Sequence, residues 1–177
     1  IVPGAAYGSA KRWPLENYLQ FIKKVTPEFN VLVLWGPGEE TLISEVRRHY
    51  EESTEDTTKQ SHLGTVIASV AKQSRTRNRV LIAPPCTLKQ LGALICRCSV
   101  VVGNDTGPLH VAAALNVPVV ALFGPTDPQR SQPLAPNSKV LYSNPDCGPC
   151  YRRNCRDLKC LKNITVNQVL SEVRRII

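Results

Sequence analysis

The residues best suited to bind a ligand or take part in a reaction lie in one polar turn. An apolar run, Val100–Val102, leads into this turn, which reads Gly103-Asn104-Asp105-Thr106-Gly107-Pro108-Leu109-His110. The order predicts a strand, a tight turn and a helix that is capped by Thr106 or Gly107 and has Pro108 in its first turn. Because the first amides of a helix lack partners within it, such an end attracts phosphate. The turn therefore predicts binding of a phosphorylated ligand.

Several groups in the turn suit that role. We expect the free amides of Gly107, Leu109 and His110 to point out of the helix, and Gly107 lets the backbone come close to a ligand. Thr106 offers a hydroxyl, and the His110 ring can donate to a phosphoryl oxygen. In the alternative interpretation, Asp105 and Thr106 only cap the helix and His110 is a structural histidine. The residues of the turn alone leave both interpretations open.

The elements that position this turn follow an alternating pattern. Short apolar runs predict strands that are buried on both faces of a sheet: Val31–Trp35, Val80–Ala83, Val100–Val102 and Val119–Phe123. Periodicity and capping signals predict an exposed loop over residues 51–62 and helices over residues 15–25, 39–50, 63–74, 87–97 and 165–177. This alternation indicates an α/β fold, a Rossmann-like parallel sheet with helices on both faces. Ligands of such folds bind beyond the carboxyl ends of the strands, where the polar turn lies.

Composition limits the class of protein. The chain has 177 residues, 42% of them hydrophobic and 20% charged, so we expect one compact domain. Its formal charge of +8 favours anionic partners. Aromatic residues make up only 6%, and no basic run alternates with them, which argues against nucleic acid as a partner. The sequence has neither an apolar run that could span a membrane nor a signal-peptide pattern, so a cytoplasmic location is expected.

Three blocks of the sequence resemble the bacterial glycosyltransferase family that includes the lipopolysaccharide heptosyltransferases. The blocks are Pro3–Ala5 with Lys11–Pro14 and Glu16, then Gly36–Glu40, and then Val102–Leu115, which continues through Pro118 to Phe123–Thr126. Their order and spacing match those of the family, and together they span most of the chain. The third block is long and the most specific of the three.

The resemblance implies a GT-B architecture, in which two Rossmann-like domains face each other across a cleft. Residues 1–177 are then the C-terminal, nucleotide-sugar-binding domain, which holds an ADP-linked heptose. The absent N-terminal domain binds a lipid-linked saccharide acceptor such as the lipopolysaccharide core, and it supplies the acidic general base. The chain has no methionine and begins in an apparent strand, Ile1–Gly4, which agrees with a fragment of a longer enzyme. The isolated domain is expected to be inactive.

The resemblance also assigns donor-binding residues. It implies that Lys11 contacts the phosphates of the donor and that Glu39, rather than Glu40, binds the ribose hydroxyls. The family residues that surround the diphosphate and the sugar of the donor are matched here by Asp105, Thr106, Gly107 and His110. A lysine and a helix N-terminus can stabilise a departing diphosphate without a metal, and the sequence has no Asp-x-Asp pair. We therefore expect neither a metal nor a cofactor.

Two features keep a second function open. Between Gly4 and Lys11, where some family members carry threonines or serines, only Ser9 is a hydroxyl candidate for contact with the donor, so the sugar and the nucleotide stay open. Lys11 can also be a solvated charge beside Trp13, and Glu39 an ordinary first-turn acid. The alternative is a non-catalytic α/β module that binds another phosphorylated ligand or an anionic surface.

A basic, cysteine-rich segment lies near the end of the chain. Its spacing allows a zinc or iron–sulfur site at Cys147, Cys150, Cys155 and Cys160. Similar loops recur in the resembling family without a required metal, so reduced or locally paired thiols are favoured and no metal ligand is assigned. Other cysteines are expected in or near the core, namely Cys86, Cys96 and Cys98. His49 and His62 are expected at the surface.

The same segment carries a cluster of positive charge. Its basic residues are Arg152, Arg153, Arg156, Lys159 and Lys162. They form either a solvated surface or a contact with an anionic glycolipid acceptor or the inner membrane, where each such residue contributes about 1 kcal/mol.

Overall fold

The computed structural model describes residues 1–51 and 79–177. The helix predicted over residues 63–74, His62 and all but the first residue of the loop predicted over 51–62 lie outside these ranges. The described strands are β1 Val31–Val33, β2 Val80–Ile82, β3 Val101–Asn104, β4 Val119–Phe123 and β5 Lys139–Tyr142. The α-helices are α1 Leu15–Val25, α2 Glu40–Glu51, α3 Leu88–Ile95, α4 Gly107–Ala114, α5 Pro128–Ser131, α6 Lys159–Lys162 and α7 Val166–Ile176, and a 3-10 turn spans Ser9–Lys11.

All strand pairs in the described residues are parallel. β1 pairs with β2, and β3, β4 and β5 pair in that order. The first two residues lie between the two groups, because Leu34 N donates to Ile1 O at 2.8 Å and Val2 N donates to Val102 O at 2.8 Å. The strand expected over residues 1–4 is thus reduced to one bridge, Val2 with Gly103. The parallel order places the carboxyl ends of β1 and β3 at the same edge.

Helices cover both faces of the sheet, as the sequence predicts. On one face, Val102, Val120 and Leu122 share a core with residues of α1, α2 and α7. On the other face, Val101 and Val119 pack with residues of α3 and α4. Successive strand residues point to opposite faces, so each strand contributes to both cores. The α/β fold predicted from the sequence is confirmed.

Local signals explain several helix boundaries. Thr165 and Gln168 form the predicted capping box at the start of α7, where Thr165 N donates to Gln168 Oε1 at 2.7 Å. Thr87 and Gln90 form a second capping box at the start of α3. Each box satisfies two amides that the helix itself leaves unpaired. Residue 51 completes α2, so the predicted loop begins one residue too early.

The strand β5 is absent from the predictions, and the physical reason is its position. Among the described strands, Lys139–Tyr142 pairs on one side only, with β4, and its burial is partial. It therefore lacks the continuous apolar run that marks strands covered on both faces. No helix in the described ranges is long and apolar enough to cross a bilayer.

Candidate functional site

Asp105 is the centre of a small polar cluster at the carboxyl end of β3. Its Oδ2 lies 2.5 Å from Lys11 Nζ and accepts a hydrogen bond from Thr126 Oγ1 at 2.8 Å. The side chains of Lys11 and Asp105 are only 13% and 6% exposed. Lys11 is therefore a paired, half-buried cation and not a solvated charge. Thr126 follows β4, so the cluster joins three segments that the sequence keeps far apart.

Asn104, the last residue of β3, fixes the loop that carries Lys11. Its fully buried side chain makes four hydrogen bonds. Oδ1 accepts from Trp13 N at 2.9 Å and from the Tyr18 hydroxyl at 3.1 Å. Nδ2 donates to Pro3 O at 2.8 Å and Gly4 O at 3.1 Å. One amide thus ties residues 3–4, 13 and 18 to the sheet.

Tyr18 is held as a hydrogen-bond donor beneath the site. Burial, with a further contribution from the nearby Glu39 carboxylate, raises the pKa of the Tyr18 hydroxyl well above its usual range. The hydroxyl therefore keeps its proton for Asn104 at any ordinary pH. The Tyr18 ring also packs edge-on against Trp13, with centroids 4.9 Å apart. Sequence reasoning assigned no role to Asn104 or Tyr18, because their partners lie in distant segments.

The helix α4 begins beside the cluster. Thr106 is its N-cap, and the Thr106 hydroxyl donates to Asn104 O at 3.2 Å. The prediction of a free amide at Leu109 is wrong, because Leu109 N donates to Thr106 O at 3.1 Å. A Cβ built on Gly107 meets no atom within 4 Å, so open space faces the first turn of the helix. His110 is exposed on the same turn.

Glu39 lies at the neighbouring loop, after β1. It is 7% exposed, and its Oε2 accepts from Gly36 N at 2.9 Å. Its carboxylate packs against Gly4, where an added Cβ would lie 1.8 Å from Oε1. Glu40 is exposed and accepts from Gly38 N at 3.1 Å. Among the hydrogen bonds of the described residues, none joins Glu39 to the Asp105 cluster, and its contacts with Gly36 and Gly4 are those of an acid that holds a turn.

Tyr7 covers the outer side of Lys11. Lys11 Nζ lies 4.8 Å from the centroid of the Tyr7 ring, and the Arg153 guanidinium carbon lies 5.2 Å from the same centroid. The Tyr7 hydroxyl donates to Tyr151 O at 3.0 Å. Sequence reasoning missed this contact, since nothing in the pattern indicates that residues 151–153 return to the start of the chain.

The cysteines are unpaired. All seven thiols are free, and burial raises the pKa of Cys160, so that thiol stays protonated at neutral pH. Within residues 1–51 and 79–177, no three His, Cys, Asp or Glu side chains are grouped closely enough to hold a metal ion. Cys86 and Cys98 are half-buried as expected, but the prediction is wrong for Cys96, which is exposed at the end of α3.

Comparison with known proteins gives consistent matches. The family model described as "Glycosyltransferase family 9 (heptosyltransferase)" matches residues 1–161. The lipopolysaccharide heptosyltransferase 2 of Escherichia coli K12 is 34% identical over 139 residues, which are 78% of this chain and 34% of that protein. The lipooligosaccharide heptosyltransferase 2 of a Campylobacter jejuni strain is 26% identical over 178 residues, which are 98% of this chain and 49% of that protein.

A solved structure agrees in fold. The E. coli ADP-heptose lps heptosyltransferase II superimposes with a TM-score of 0.71 at 29% identity, over 99% of this chain and 44% of that one. The chain thus spans about half or less of the length of the relatives it matches.

Proposed function

The chain belongs to glycosyltransferase family 9, and from that membership we propose that it is the donor-binding part of an enzyme that transfers heptose from ADP-heptose. The acceptor in this proposal is the lipopolysaccharide core or a related lipid-linked saccharide. Residues 1–177 form one donor domain, while the general base and the acceptor site belong to the part of the relatives that this chain does not span. The domain alone is then inactive in transfer.

The observation that supports the proposal is the Lys11–Asp105 pair beside the open N-terminus of α4. An ammonium has three donors, and Asp105 takes one of them, which leaves the others for a phosphate oxygen. Gly107 leaves space for the diphosphate to approach the backbone. Because the leaving diphosphate gains negative charge as the glycosidic bond breaks, a fixed cation and helix amides stabilise the transition state more than the ground state.

The other predicted residues take supporting roles in this proposal. Thr106 and His110 face the diphosphate and the sugar from the first turn of α4, and Glu39 binds the ribose hydroxyls. Exposed basic residues of the cysteine-rich segment contact the anionic acceptor or the inner-membrane surface: Arg156, Lys159 and Lys162.

A direct test is calorimetric titration of the protein with ADP, UDP and ADP-heptose, repeated on His110→Ala. We expect the adenine compounds to bind more tightly than UDP, and the substitution to weaken them about tenfold, because it removes one donor to a phosphate. The exposed position of His110 makes the fold insensitive to the change. Absence of heat with every nucleotide would favour the second candidate, a non-catalytic module that binds another phosphorylated ligand or an anionic surface.

The variant Gly107→Ala tests diphosphate binding without an expected loss of stability. Gly107 lies in the first turn of α4 outside the left-handed region, and its added Cβ meets no protein atom within 4 Å. We expect unchanged or slightly higher stability, by up to about 1 kcal/mol, because alanine favours the helix. ADP affinity should fall about tenfold or more, since the methyl group fills the space that the phosphate needs.

The matched control is Gly92→Ala in the interior of α3, where the new Cβ makes an ordinary 3.7 Å contact with Leu115. It should stabilise the chain in the same way and leave ADP affinity unchanged. Urea unfolding and ADP titration measure both effects. Equal ADP affinity in the two variants would contradict a diphosphate at Gly107.

A further inference from the structure

Lys11 brings little net positive charge to a diphosphate, because it is paired with Asp105. Asp105 neutralises Lys11 at 2.5 Å, and its own carboxylate repels an incoming phosphate. Glu39, near the same edge, adds a second negative charge. The N-terminus of α4 contributes only about half a positive charge. A diphosphate is a multiply charged anion, so a further cation whose charge is not already neutralised strengthens its binding.

Arg153 is a cation in the right place. Its guanidinium and the Lys11 ammonium lie 5.2 and 4.8 Å from one ring centroid, that of Tyr7. The two charges are therefore separated by no more than about one Debye length at 0.1 M salt, and one anion can attract both. In the part of the chain that the structure describes, Arg153 forms no ion pair. Its charge is free for a ligand.

The backbone of Arg153 is fixed against the loop that carries Lys11. Ala10 N donates to Arg153 O at 3.0 Å. Gly8 lies so close to the Arg153 backbone that an added Cβ at Gly8 would be 2.3 Å from Arg153 O. On either side of Arg153, Tyr151 accepts from the Tyr7 hydroxyl and Asn154 accepts from the Ser9 hydroxyl at 3.0 Å. The position of Arg153 is thus set by contacts over some 140 residues of sequence.

We propose that Arg153 is a diphosphate-binding residue of the donor site and that Tyr7 is the positioning residue that holds it beside Lys11. The inference rests on the proposed function. A guanidinium can donate two parallel hydrogen bonds to phosphate oxygens, which an ammonium cannot do. The cation that compensates Asp105 thus comes from the cysteine-rich segment, outside the three blocks that carry the family resemblance.

The experiment compares ADP with adenosine as ligands of the protein at its full natural length. Arg153→Ala should lower ADP affinity about tenfold or more, because a charge-assisted contact to phosphate is lost, and should leave adenosine affinity unchanged. Arg153→Lys should restore part of the loss, since it keeps the charge without the fork. Tyr7→Leu should also weaken ADP more than adenosine.

The matched control is Arg130→Ala, which removes an exposed arginine near the same edge. In the ranges that the structure describes, Arg130 also forms no ion pair. ADP affinity should change less than about twofold in this variant, since only long-range attraction is lost. A thermal melt of each variant confirms equal folding.

The outcomes separate the two proposals. Failure of the wild-type protein to bind ADP overturns the proposed function and this inference with it. Binding by the wild type with no loss in Arg153→Ala overturns only the inference. Equal losses of ADP affinity in Arg153→Ala and Arg130→Ala would mean general electrostatic attraction. A parallel loss of adenosine affinity in Arg153→Ala would mean that Arg153 has a structural role. Either result also overturns the inference.

Discussion

Lys11→Ala is expected to weaken ADP binding about a hundredfold or more. The substitution removes the cation that faces the phosphate, and it also leaves the Asp105 carboxylate, 6% exposed, without its ion-pair partner. That carboxylate then repels the diphosphate directly. Loss of attraction and gain of repulsion act together, so the effect exceeds that of one charge-assisted hydrogen bond. Calorimetric titration with ADP measures it.

Stability should fall in the same variant. The pair is largely buried, and removing Lys11 leaves the Asp105 carboxylate with its hydrogen bond from the Thr126 hydroxyl. We expect a loss of about 1–3 kcal/mol in the free energy of unfolding, below the range for fully buried pairs because some solvent reaches Lys11. Urea unfolding at neutral pH measures this loss.

The double variant Lys11→Ala with Asp105→Asn distinguishes the two effects. Asparagine keeps a hydrogen-bond acceptor for Thr126 and carries no charge, so most of the stability should return. ADP affinity should recover only in part, because the repulsion is gone while the cation is still missing. If Lys11→Ala binds ADP within about threefold of the wild type, Lys11 has no place at the phosphates.

Asn104→Ala should destabilise the fold strongly. It leaves unpaired the Trp13 amide and the carbonyls of Pro3 and Gly4, and it leaves Val2 O as the acceptor of the Tyr18 hydroxyl. Each buried group without a partner costs about 1–3 kcal/mol, and some relaxation reduces the total, so we expect a loss of about 3–5 kcal/mol. The same change releases the loop that carries Lys11, so ADP binding should fail even where the variant is folded.

A suitable control is Asn167→Ala at the surface of α7. That asparagine accepts one exposed hydrogen bond, from Lys24 Nζ at 2.8 Å, and its loss should cost less than about 0.5 kcal/mol. Urea unfolding of both variants at one temperature compares them. Similar free energies of unfolding for the two would show that Asn104 does not fasten the loop.

Periodicity and composition predict features that depend on local physics. The bounds of β4 and of α1 agree with the structure, because a strand buried on both faces and a helix with one apolar stripe leave strong patterns. β5 leaves none, since it lies at the edge with partial burial. The capping box at Thr165 is equally local, and it is present as predicted.

The candidate site depends on contacts that no pattern displays. Asp105 and His110 stand out because a polar turn after a strand is a local feature. The partners of Asn104 and the contact of Tyr7 with Arg153 join segments about 90 to 150 residues apart. Their geometry arises only from tertiary packing, so spacing in the sequence cannot reveal it. The prediction of a free amide at Leu109 is wrong for a local reason, because a backbone hydrogen bond within one turn pairs that amide.

The place of Ile1 and Val2 in the middle of the sheet also has a consequence for the order of folding. Val2 pairs with Gly103, and its amide bonds to Val102, so this central bridge joins residues about 100 positions apart. During synthesis, this bridge cannot form until β3 has left the ribosome. Loop-closure entropy must be overcome before these contacts stabilise the chain, which slows folding. Until that moment, Val2 at the edge beside β1 has no strand to pair with, and the nascent chain is open to misassembly there.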